Sequence, residues 1–122
     1  MENMINDLKN IDVLIVEDGQ DIRDIMYSTL HKLFKSTRVA VDGIDGLEQF
    51  KENQPNIVLS DIRMPNMSGN DMVDEMKSIN PNIPVIVITG HGRLMKKDIK
   101  ADAVLEKPIK FNKLVEEIHK LI

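Results

Sequence analysis

The stretch NIVLSDIRMPNMSG, residues 56–69, decides the fold. Its first half is an apolar, β-branched run of the kind that forms a strand buried on both faces. The run ends at Asp61, Pro65 follows, and Ser68 stands at capping distance from Asp71. A buried strand that passes through a sharp loop into a helix is half of a βαβ unit. The carboxylate at its end needs company to explain it.

Reading outward, the same apolar signature recurs in DVLIV (12–16), TRVAV (37–41), PVIVIT (84–89) and AVLE (103–106). Helical spacing fills the gaps. Ile22, Ile25, Met26, Leu30, Leu33 and Phe34 share one face, and Leu47 with Phe50 share another behind Asp45 and Glu48, a pair with capping-box spacing. Met72, Val73, Met76 and Ile79 follow Ser68, and Phe111, Leu114, Val115, Ile118 and Leu121 mark a closing helix. GHGRLMKKDIKAD (90–102) is a short helical stretch of weak periodicity. Alternating strands and helices predict an α/β fold: a doubly wound (βα)5 domain with a five-stranded parallel sheet and helices on both faces. The whole chain, 1–122, reads as one domain, with 1–10 an N-terminal extension and the core at about 11–122.

Composition excludes several classes of function. Hydrophobic residues make up 42% and charged residues 30%, which is globular, and the net charge of −4 disfavours direct nucleic-acid binding. The aromatics Tyr27, Phe34, Phe50 and Phe111 offer no stacking platform in a basic groove. With no cysteine, neither a disulfide framework nor a thiolate zinc site is available. MENMINDLKN lacks the apolar segment of a secretory leader, and no apolar run approaches the roughly 20 residues that span a bilayer. The expectation is a cytoplasmic protein with no membrane association.

In doubly wound folds ligands bind beyond the carboxyl ends of the strands. Those ends carry Glu17-Asp18, Asp61, Thr89-Gly90 and Lys107-Pro108. With strand order 2-1-3-4-5 they converge. Three carboxylates in one place repel each other unless a cation intervenes. Mg²⁺ prefers such hard oxygens, and a lysine ammonium serves as a point charge beside it. A carboxylate so placed can act as a nucleophile toward phosphorus, and the Thr89 hydroxyl can bond a phosphoryl oxygen. Taken singly, each residue has a plain reading: Asp61 a turn residue, Glu17-Asp18 helix-start acids, Thr89 a strand residue, Lys107 a solvated cation. Their joint spacing changes the reading.

That order of motifs, with MPNMSG after Asp61, resembles a response-regulator receiver domain of two-component signalling, over about Asp12 to Leu121. The resemblance implies a phosphoacceptor at Asp61, assisted by Thr89 and Lys107, with Mg²⁺ or Mn²⁺ as cofactor. It implies metal ligation by Asp18, Asp61 and the backbone carbonyl of Arg63, with Glu17 acting through water, and a cis Lys107–Pro108 bond. It implies a histidine kinase or phosphotransfer protein as donor, and a downstream protein target or an output domain beyond this chain. Arg63 and His91 fall where the family tunes phosphoryl lifetime. Val104 stands where many receivers have an aromatic switch residue, and the segment between Thr89 and Lys107 is short, so the family's usual dimer is not expected. The alternative is a phosphorylation-independent pseudo-receiver scaffold. A phosphatase is disfavoured by Arg63, where that class commonly has an acid, and an NTPase by the lack of a Gly-rich P-loop. The methionines, Met64 and Met67 included, read as apolar filler, His31 and His119 as surface helix residues, and the sequon Asn66-Met67-Ser68 as chance.

Overall fold

The computed structural model describes residues 2–90 and 100–122. Five parallel strands, β1 (Asp12–Val16), β2 (Ser36–Ala40), β3 (Ile57–Ser60), β4 (Val85–Thr89) and β5 (Ala103–Glu106), pair in the order β2-β1-β3-β4-β5, as the sequence predicts. The described helices are α1 (Glu2–Leu8), α2 (Gln20–Leu30), α3 (Gly43–Glu52), α4 (Gly69–Ile79) and α5 (Phe111–Leu121). No helix among the described residues is long and apolar enough to cross a membrane.

Side chains alternate across a strand, so each strand supplies two cores. Val13, Ile15, Ile57, Leu59, Ile86 and Ile88 face one side, where they meet Met26 and Leu30 of α2 and Leu114, Val115 and Ile118 of α5. Leu14, Val16, Val58, Val85 and Val87 face the other, against Leu47 and Phe50 of α3 and Met72, Val73 and Met76 of α4. This double burial is why the strands read as continuous apolar runs.

Three local features differ from the sequence reading. Residues 2–8 of the N-terminal extension form a helix. Seven residues are too few to hold a helix alone. Tertiary contacts hold this one: Leu8 is fully buried, worth about 1.5–3 kcal/mol, and Asp7 meets His119 of α5 at 2.9 Å. Second, α2 ends at Leu30, and Phe34 stays buried from the loop beyond. Third, the cap of α3 is Asp42, not Asp45. Asp42 Oδ1 accepts from the Asp45 amide at 2.8 Å, and Asp45 Oδ2 accepts in return from the Val41 amide at 3.0 Å. The Ser68 cap of α4 is as expected, accepting from the Asp71 amide at 3.2 Å. The helical stretch expected within 90–102 lies largely outside the described residues, and His91 does also.

Candidate functional site

The central strands end together, and their registers fix what meets there. Val16 pairs with Ser60, so Glu17-Asp18 and Asp61 leave the sheet side by side. Thr89 pairs with Glu106, so Lys107 follows at the next position. The Lys107 amide donates to the Thr89 carbonyl at 2.9 Å, and the Lys107–Pro108 bond is cis.

Glu17, Asp18 and Asp61 present carboxylate oxygens that all lie within 4.8 Å of one another. Glu17 is buried, at 3% exposure, Asp61 is half-buried and Asp18 is exposed. Lys107 reaches across from β5. Its Nζ lies 3.0 Å from Asp61 Oδ2 and 3.4 Å from Glu17 Oε1. The other oxygens are held by backbone: Asp61 Oδ1 accepts from the Ile62 amide at 2.6 Å, and Glu17 Oε2 from the Gly19 amide at 3.0 Å. Thr89 is buried at the same edge of the sheet.

Among the described residues, one ammonium meets these acids, and it does not balance three carboxylates. Burial pushes the Glu17 carboxyl above its ordinary range and the charge of Asp61 pushes it further, against the Gly19 amide and Lys107, which pull it down. Burial pulls the Lys107 ammonium down, but the Asp61 hydrogen bond and the charges of Asp61 and Glu17 outweigh it, and the net shift is upward. Among the described residues the site is therefore short of positive charge. An all-oxygen set of three carboxylates beside an open cleft fits a hard divalent cation.

Arg63 is exposed and lines that cleft with Asp18, Met64, Pro65 and Asn70. Val104 is half-buried and packs against the α3–α4 side of the sheet. His31 is exposed and caps α2, its ring stacked on Tyr27 at 4.8 Å.

Sequence reasoning missed Arg23. From the first turns of α2 its Nη1 donates to the backbone carbonyls of Glu17 at 3.0 Å and Asp18 at 3.3 Å. The guanidinium thus grips the peptide that carries both acids. An arginine six residues beyond Glu17 has no signal of its own, because the grip depends on how α2 turns back over the end of β1.

The loop after Asp61 is pressed close. A Cβ on Gly69 would stand 2.4 Å from the Asp61 carbonyl oxygen, and the Gly69 amide donates to the Ile62 carbonyl at 2.7 Å. Only glycine lets α4 begin so near the strand it follows.

Known proteins resemble this chain in sequence and fold. The family model of the response regulator receiver domain matches residues 13–119. The chain is 33% identical over 114 residues to the chemotaxis protein CheY of Thermotoga maritima, covering 89% of this chain and 95% of that protein. It is 32% identical over 116 residues to the transcriptional regulatory protein ZraR of Salmonella typhimurium, covering 92% of this chain but 26% of that protein. The crystal structure of a response regulator receiver domain protein from Clostridium thermocellum superposes with a TM-score of 0.77 at 32% identity, covering 90% of this chain and 92% of that one. With residues 13–119 matched, the chain belongs to the response regulator receiver domain family, the phosphoacceptor switches of two-component signalling.

Proposed function

We propose that Asp61 accepts the phosphoryl group, and that the chain is switched by a histidine kinase or phosphotransfer protein acting on this carboxylate. The observation that carries the reading is the Asp61 carboxylate held 3.0 Å from Lys107 within a cluster of three acids. In the forward step a carboxylate oxygen of Asp61 attacks phosphorus. An O–P bond forms, the N–P bond of a phosphoimidazole breaks, and the imidazole leaves. Lys107 offsets charge on the group as it arrives. The Thr89 hydroxyl donates to a phosphoryl oxygen. Asp18, Asp61 and the Arg63 carbonyl would hold Mg²⁺ or Mn²⁺, with Glu17 acting through water. Such an ion would supply positive charge to offset the carboxylates and the incoming phosphoryl group. Hydrolysis returns inorganic phosphate and free Asp61, and Arg63 stands where it can hinder the attacking water.

Intact-protein mass after incubation with acetyl phosphate tests this, with and without Mg²⁺, beside Asp61→Asn. The expected result is a Mg²⁺-dependent gain of one phosphoryl group that the variant lacks. A gain that persists in Asp61→Asn would move the acceptor elsewhere. No gain, together with no beryllofluoride binding, would leave a scaffold that does not use phosphorylation.

A further inference from the structure

Asn66 lies in the Asp61 loop with φ 70, the left-handed region that residues with a Cβ avoid and asparagine tolerates best. The Met67 amide closes a tight turn around it onto the Pro65 carbonyl at 2.7 Å. Its side chain does not face solvent alone. Asn66 Nδ2 donates to Asp42 Oδ2 at 3.0 Å, while the other oxygen of the same carboxylate caps α3 at 2.8 Å. The Asp45 amide, and after it Asn66, hold the Asp42 carboxyl below its ordinary range. Just past this contact a Cβ on Gly43 would stand 2.5 Å from the Met67 carbonyl oxygen, so helix and loop touch backbone to backbone.

We propose that Asp42 and Asn66 are a positioning pair that sets the backbone of the Asp61 loop from the start of α3. One carboxylate fixes a helix cap and a left-handed turn together. The loop then returns to Asp61 through Gly69 with its path decided at both ends. The spacing Asn66-Met67-Ser68 is thereby given a structural use, because the amide that a sequon would offer is spent on Asp42. The proposal rests on Asp61 as the phosphoacceptor for its functional consequence, but not for its structural one.

The test uses Asn66→Gly, which keeps the left-handed backbone and loses the amide, and Asp42→Ser, which keeps a good helix cap and loses the reach to residue 66. Asn66→Ala loses both backbone ease and amide. Hydrogen exchange is read at the Ile62 and Gly69 amides, with the acetyl phosphate reaction rate beside it. Each of Asn66→Gly and Asp42→Ser should speed exchange and slow phosphorylation by about threefold to tenfold, the worth of one hydrogen bond, and Asn66→Ala by more. The double variant Asp42→Ser with Asn66→Gly should be no worse than either alone, since both remove the same bond. Unchanged exchange, additive effects, or faster exchange with an unchanged reaction rate would each overturn the pair. If the wild type neither takes a phosphoryl group nor binds beryllofluoride, the reading of Asp61 fails on its own, and the exchange data still decide the pair.

Discussion

Replacing Asp18 with asparagine removes one of three crowded carboxylates without touching either bond from Lys107. At 4.8 Å, the bound on separation within the cluster, two unit charges repel by about 0.9 kcal/mol in water and about 3.5 kcal/mol at an effective dielectric constant of about 20. Asp18 is exposed, which places its two repulsions near the lower figure. Glu17, whose carboxyl is pushed up, carries less than a full charge near its own pKa and so repels less there. Without divalent cations, Asp18→Asn should therefore be more stable than the wild type by about 1–2 kcal/mol. With a urea slope of about 2 kcal/mol per molar, the unfolding midpoint should rise by about 0.5–1 M. The assay is urea unfolding in EDTA at low ionic strength. The gain should shrink in about 0.5 M salt, where exposed charges are screened. In Mg²⁺ the order should close or reverse, because a cation that binds only the folded wild type stabilises it by mass action. A variant no more stable than the wild type in EDTA at low salt would refute the claim that these acids are held together against repulsion.

Two further outcomes follow from contacts at the same end of the sheet. Gly69→Ala should cost about 2–3 kcal/mol, since its Cβ would meet backbone of Asp61 and Ile62, whereas Gly46→Ala should cost less because it meets side chains, the Met72 thioether and the Val16 methyls, rather than backbone; urea midpoints in the opposite order would contradict this. Arg23→Gln should lower stability by about 1–2 kcal/mol through loss of its bonds to the Glu17 and Asp18 carbonyls. It should also weaken Mn²⁺ binding in calorimetry, and lost stability with unaltered Mn²⁺ affinity would reduce Arg23 to a purely structural residue.

What the sequence revealed of the site follows from topology. In a parallel sheet every strand delivers its carboxyl end to the same edge, so Glu17, Asp18, Asp61, Thr89 and Lys107 could be brought together before any distance was known. Arg23 was invisible because its partners are carbonyl oxygens, which every residue has. The α3 cap was misplaced because Asp42–Asp45 and Asp45–Glu48 share one spacing. The end of β2 at Ala40 chooses between them by making Asp42 the residue that enters the helix. Helix α1 was missed because its stability lies in the burial of Leu8 rather than in its own few residues. Phe34 prolonged the apparent period of α2, since a side chain can fill a core position from a loop as well as from a helix.

The glycine contacts make the loop beside the phosphoacceptor candidate a wall without slack. Gly69 and Gly43 bring backbone against backbone there, leaving no room for even one added methyl group. A load applied at the Asp61 carboxylate therefore cannot be absorbed within that loop. It is handed on to the starts of α3 and α4, the two helices whose first residues the loop touches.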